Sequence, residues 1–227
     1  MKYDQTIITP KGLAVHIRSG VASDGSAVLE NFDLTHAETD YLLSYPDENH
    51  LDAEQESRYL EKKATSPNEI ELIAFVDGKV AGTAGIDAIG PQYKVAHRAE
   101  FGISILKEYW GLGIGRALME ACIQCAKTAG YAQLELEVVA ENAKAISMYQ
   151  TAGFVEYGRN PKGFPDFDYS FCGIQKRCRV VFTDKHYRFV IHIIAFPNRL
   201  HIGFKTILVE FQHFFNLLRF LTFRVFI

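Results

Sequence analysis

Three glycines at alternate positions, Gly111, Gly113 and Gly115, are the residues of this chain best suited to cradle a ligand. They lie in the run Tyr109-Trp110-Gly111-Leu112-Gly113-Ile114-Gly115-Arg116-Ala117-Leu118-Met119. Glycine has no Cβ, so its backbone can take positive φ and come close to a bound group. Several N–H groups in such a turn converge on one point and form an anion nest. The spacing predicts a helix from about Gly113 to Thr128, which aims its positive dipole end and unpaired amides at the same point. A phosphate or diphosphate oxyanion is the natural occupant. The second informative stretch is Asn142-Ala143-Lys144-Ala145-Ile146-Ser147-Met148-Tyr149-Gln150-Thr151-Ala152-Gly153-Phe154. Helical spacing puts Asn142, Ile146 and Tyr149 near one stripe, so an amide and a phenol stand on one side. Taken alone, a glycine turn can serve chain geometry, Asn142 can be a helix cap and Tyr149 a core aromatic.

Two nucleotide loops do not fit. A P-loop needs Lys and then Ser or Thr after its last glycine, and Arg116-Ala117 stands there. A dinucleotide fingerprint needs G-x-G-x-x-G; here glycine recurs at every second position, although Glu135 follows at about the distance of a ribose-binding acid.

The elements that must position these residues can be read in order. Leu13 to Arg18 alternates as a strand after Gly12, and Ser23-Asp24 is a helix N-cap signal. Asp24 to Tyr45 is mixed and stops at Pro46; Asp52 to Ala64 is a second helix capped by Asn49 or Asp52. Glu71 to Val76 is a strand, Asp77-Gly78 a hairpin turn and Lys79 to Ile89 its partner. Val95 to Leu106 is a strand leading into the glycine loop. Gly130 closes the following helix, Tyr131 to Val139 is a strand, Asn142 opens another helix, and Phe154 to Tyr157 is a short strand. The order is strand, two helices, three strands, helix, strand, helix, strand: a mixed α/β domain with an antiparallel meander in its middle.

With that order around them, the two motifs together resemble the GNAT superfamily of N-acetyltransferases. The family's loop reads Gln/Arg-x-x-Gly-x-Gly/Ala, and Trp110 to Gly115 matches it except that Trp110 replaces the Gln or Arg. Its helix reads Asn-x-x-Ala-x-x-x-Tyr-x-x-x-Gly-Phe, which Asn142 to Phe154 matches in full. The resemblance covers roughly residues 12–160. It implies a central, mostly antiparallel twisted sheet flanked by helices, and acetyl-CoA as co-substrate with no metal. The diphosphate would be held by Gly111, Leu112, Gly113, Ile114, Gly115 and Arg116, mostly through backbone N–H. The pantetheine arm would pair with the backbone of Ile103, Ser104, Ile105 and Leu106 like an added strand. Asn142 and Tyr149 would complete the cofactor site, with Tyr149 as general acid for the leaving thiolate. Glu100 and Glu137 are the candidate bases, either of which could equally be a solvated strand carboxylate. Trp110 is expected to pack rather than bind phosphate.

The implied activity is direct transfer of acetyl to a primary amine of a small molecule or peptide. Glu38, Asp40, Asp47, Glu48, Asp52, Glu54 and Glu56 lie around the presumptive acceptor region; they fit a cationic amine or an ordinary solvated surface. Net charge of −3 over 227 residues gives no reason to expect nucleic acid. A CoA-binding regulatory module without catalysis is the first rival reading. The second is a protein held at a membrane by its tail.

That tail is distinct. Residues 171–227 hold 9 Lys+Arg, 2 Asp+Glu and 11 of the 17 Phe, which draws a boundary between an acidic domain at 1–170 and a basic, Phe-rich segment at 171–227. One more strand is expected after Phe154, at Phe167 to Cys172 or Arg179 to Phe182. No run reaches the ~20 apolar residues of a bilayer span. Phe211, Phe214, Phe215, Leu218 and Leu221 could make an interfacial face, but an altered reading frame late in the gene accounts better for the composition. Cys122 and Cys125 read as buried reduced thiols, and with no apolar leader the expected compartment is the cytoplasm, as monomer or homodimer.

Overall fold

The computed structural model describes residues 1–160 and 175–181. They form strands β1 (Asp4–Ile8), β2 (Ala14–Ser19), β3 (Ile70–Val76), β4 (Lys79–Ala88), β5 (Arg98–Ile105), β6 (Gln133–Val139), β7 (Val155–Asn160) and β8 (Gln175–Val181). The helices are α1 (Gly25–Glu38), α2 (Ala53–Thr65), α3 (Ile114–Thr128) and α4 (Ala143–Thr151). All strands join one sheet in the order β1-β2-β3-β4-β5-β6-β8-β7. Every neighbouring pair is antiparallel except β5–β6. This is the mixed α/β sheet flanked by helices that the sequence predicts.

Local chemistry explains most boundaries. Asp77 and Gly78 both take positive φ, 49° and 79°, the pair of conformations that a two-residue hairpin between twisted strands requires. Asp52 accepts from Gln55 N at 2.8 Å and the Gln55 side chain returns to Asp52 N at 2.8 Å, a capping box that starts α2. Asp24 stands at the N-cap of α1, but its carboxylate is not spent on the helix. It takes both Nη atoms of Arg18, at 2.7 and 2.8 Å, and so ties β2 to the helix start.

The two faces of the sheet carry different layers. Leu118, Met119, Cys122 and Ala126 of α3 pack with Leu72, Ile86, Phe101 and Leu134 in the main core. On the opposite face Val28 of α1 and Leu60 of α2 cover Ile73. Cys122 and Cys125 are free and buried, and burial pushes both thiols up. They are packing residues.

Two strands go beyond the expected order. β1 lies at a sheet edge with four of its five residues exposed, so it carries no apolar alternation to read. β8 inserts between β6 and β7, overlaps the expected Arg179–Phe182, and lies beyond the composition boundary at 171. The alternative at Phe167 to Cys172 lies outside the described residues, as do Tyr187 to Phe196, Ile202 to Ile227 and the apolar face containing Phe211. All described residues belong to one compact unit, Met1–Tyr187. Among them no helix is long and apolar enough to cross a membrane.

Candidate active site

The sheet opens at its centre. β5 stays paired with β4 from Ala99 to Ile105, whereas its parallel pairing with β6 covers only Arg98–Gln133, Ala99–Leu134 and Glu100–Glu135. Beyond Glu135, β6 keeps only its pairing with β8, which holds its other edge from Gln133 to Val139. Leu106 N–H reaches Ala81 C=O at 3.0 Å, so Gly82–Ile105 is a pair without mutual bonds. The antiparallel alternation then turns the N–H and C=O of Phe101, Ile103 and Ile105 away from β4; Phe101 still meets β6 at the end of the Glu100–Glu135 pair, and Ile103 and Ile105 turn toward the side that β6 has left. Backbone groups at such an edge accept an added extended chain. Of the expected arm-binding stretch, Ile103 and Ile105 lie on the open edge of β5, whereas the backbone of Ser104 faces β4 and Leu106, past the strand end, gives its N–H to Ala81 C=O. Ile105 C=O is already used, since the Trp110 indole N–H donates to it at 2.7 Å.

The glycine loop follows at the open end of this edge. A short 3₁₀ turn over Lys107–Tyr109 leads into it, with the Glu38 carboxylate of α1 accepting Lys107 N–H at 2.6 Å. Gly111 and Gly113 have φ of +80° and +96°, left-handed conformations that L side chains rarely adopt. Gly113 is the N-cap of α3 and no side chain caps the helix, so its first-turn amides are available to a ligand. Gly115 plays a different part. A Cβ there would stand 3.0 Å from Ile105 Cδ1 and 3.3 Å from Met148 Sδ, so this glycine lets α3 approach β5 and α4 closely. Ile114 is buried, Leu112 half-buried and Arg116 exposed. The structure thus brings Gly111 to Arg116 together as one turn around a helix start.

Trp110 packs, as expected: its N–H is tied down, and its ring carries Lys144 Nζ at 5.6 Å from the centroid. Lys144 is a neighbour of the loop that sequence reasoning missed. It comes from α4, and nothing local in the sequence ties position 144 to position 110.

Asn142 and Tyr149 are set by α4. Asn142 Oδ1 accepts Ala145 N–H at 3.1 Å, so the amide is the helix cap. Tyr149 is buried, edge-on to Phe101 with centroids 6.3 Å apart and 5.7 Å from the Phe154 ring. Phe101 is the first β5 residue past the last β5–β6 pair, so the phenol lies where the strands part. Strand alternation puts Glu100 on the opposite face from Phe101. Glu137, two residues past Glu135, is on the same side of its strand as Glu135. Both Glu100 and Glu137 are exposed.

Their neighbours are committed elsewhere. The Glu135 carboxylate receives Arg98 through both Nε and Nη2, the Tyr157 hydroxyl at 3.0 Å and the Gln133 amide. Arg98 above all holds its pKa down. Glu135 is therefore a structural carboxylate, which removes the ribose-binding acid of a dinucleotide reading. On the next strand Asp87 pairs with the buried Lys63 of α2, which also donates to Ile86 C=O at 3.0 Å. Beside it burial raises Glu71 to about 7, and Tyr59 donates to it at 3.4 Å. Much of the acidic set near the acceptor region is also in use. Glu38 caps the 3₁₀ turn, Glu48 accepts Tyr45 N–H at 2.8 Å, Asp52 caps α2 and Glu54 pairs with Arg58. Among the described residues no group of three His, Cys, Asp or Glu side chains converges as a metal site.

A sheet that parts beside a glycine-led helix start leaves an open strand edge next to a turn suited to an anion. The profile of the acetyltransferase (GNAT) family matches residues 34–154. An acetyltransferase of the GNAT family from Streptococcus pneumoniae superposes with a TM-score of 0.70 at 30% identity, over 74% of this chain and 99% of that one. The chain belongs to the GNAT acetyltransferase family. It is 33% identical over 103 residues to the L-amino acid N-acetyltransferase AaaT of Escherichia coli, a match of 45% of this chain and 63% of that protein's length. The fold of yncA from Salmonella typhimurium, solved with its cofactor acetyl-CoA, superposes with a TM-score of 0.66 at 18% identity over 77% of this chain and 96% of that one.

Proposed function

We propose that this chain is an N-acetyltransferase that moves the acetyl group of acetyl-CoA directly to a primary amine of a small molecule or peptide. The observation that carries the reading is the parting of β5 from β6 immediately before a loop of left-handed glycines and an uncapped helix start. A diphosphate fits the loop, and a pantetheine arm fits the vacated edge of β5. Acetyl-CoA would supply an activated acetyl group as a thioester.

The residues divide the remaining work. The amides of Gly111 to Arg116 fix the diphosphate, and the open backbone of β5 at Ile103 and Ile105 orients the arm. Tyr149, beside Phe101 at the parting, donates a proton to the leaving sulfur as the carbon–sulfur bond breaks. Glu100 or Glu137, exposed and able to work through water, takes a proton from the substrate ammonium so that the neutral amine attacks the thioester carbonyl. Cytoplasmic location belongs to the same reading and is supported by Cys122 and Cys125 standing as free thiols.

The test is thiol release from acetyl-CoA across classes of amine. Release that depends on a particular amine supports the reading. CoA binding without amine-dependent release from any class would favour a regulatory module instead.

A further inference from the structure

Main-chain amides and a helix dipole offer partial charges, whereas a diphosphate carries at least two full ones. The cation beside this loop comes from a neighbouring helix. Lys144 lies two residues past the Asn142 cap that fixes the start of α4. Its Nζ sits over the Trp110 ring and faces Gly111, where a Cβ would stand only 3.6 Å from it. The ammonium therefore stands next to the loop at Gly111. The indole cannot swing away, because its N–H is bound to Ile105 C=O at 2.7 Å. Among the described residues Lys144 has no carboxylate within 4.0 Å.

We propose that Lys144 supplies the full positive charge for the diphosphate of CoA, with the Trp110 indole as its seat. An aromatic face holds a cation while leaving its N–H donors free, and a preset side chain loses less entropy on binding. Trp110, uncharged itself, then contributes to the site through the cation that it positions. The proposal rests on the acetyl-CoA reading of the site.

Trp110 is the only tryptophan of the chain, so its emission reports on this spot directly. CoA is titrated into the full-length protein with fluorescence as readout, and KM is measured for acetyl-CoA and for S-acetylpantetheine, which lacks the diphosphate. Lys144→Gln is expected to weaken CoA by about tenfold, the loss of one charge-assisted phosphate contact, and to leave S-acetylpantetheine within about twofold. Lys144→Arg should keep CoA affinity within about twofold, since the charge remains. Trp110→Leu, followed by calorimetry, should cost about threefold by unseating the ammonium. Unchanged CoA affinity in Lys144→Gln overturns the proposal. So does an equal loss for both thioesters, or an arginine variant as weak as the glutamine one. Parental protein that does not bind CoA removes the acetyl-CoA reading itself, a failure visible before any substitution is made.

Discussion

Two polar regions flank the central strands, and they differ in what completes them. Beneath α2, Lys63 meets Asp87 and Ile86 C=O, while Tyr59 donates to Glu71. Every one of these groups finds its partner inside the fold. At the parting of β5 and β6 the backbone of Ile103 turns toward no neighbouring strand, and the start of α3 has no side-chain cap. Buried or half-buried polar groups are ordinarily satisfied, so a region whose partners are already present is architecture. A region that leaves donors unanswered while glycines clear the approach is a binding site. Charge alone does not separate the two, since the closed cluster is the more heavily charged.

That contrast can be broken by substitution. Lys63→Ala removes the buried partner of an exposed carboxylate and leaves the buried Ile86 C=O without its donor, and is expected to cost about 1–3 kcal/mol of stability, read by urea unfolding. The surviving folded fraction should bind CoA as the parent does; a large loss of CoA affinity would mean that the cluster belongs to the site. Tyr149→Phe is expected to do the reverse, lowering turnover about 10²-fold while CoA affinity stays within about twofold, in steady-state and calorimetric assays. Unchanged turnover removes Tyr149 from the acid role. Gly113→Ala puts a side chain at φ +96°, with its Cβ 3.1 Å from Thr9 Cβ. It should cost about 1–3 kcal/mol and weaken CoA together with stability, because here site and fold share one backbone.

A pH dependence is confined to the closed cluster. Glu71 titrates at about 7 in the fold because of its burial, against an ordinary value of 4.5. The folded state thus retains a proton that the unfolded chain releases. Stability from this group is full below about 4.5, falls as pH rises and levels off above about 7. Glu71→Gln should flatten the stability profile across that window, as seen in urea midpoints between about pH 4 and about pH 7.5. A profile unchanged by the substitution would place Glu71 in water.

What the sequence revealed follows the range of each signal. The loop from Trp110 to Gly115 and the helix from Asn142 to Phe154 are local, and each could be read as a continuous run. Asp77-Gly78 and Asp52 were legible because turn and cap chemistry act over two to four residues. β1 was silent because an exposed edge strand needs no apolar alternation. The roles of Glu135 and Lys144 were not legible for another reason. Their roles depend on Arg98 and Trp110, more than thirty positions away in sequence, which only the folded sheet brings near. Gly115 looked like a third member of a nest, yet its missing side chain serves contact with Ile105 and Met148. The parting of β5 from β6 has no sequence signature at all, since both strands keep regular alternation through it.

The central claim is that the loop amides hold the diphosphate while the open edge of β5 takes the arm. Amide resonances of ¹⁵N-labelled protein followed through a CoA titration test it most directly. The account predicts saturable shifts at Gly111, Gly113, Gly115 and Arg116 together with Ile103 and Ile105, and still resonances at Lys63 and Glu71. Saturable shifts that leave the glycine loop unmoved, or no shifts in folded protein, would contradict it.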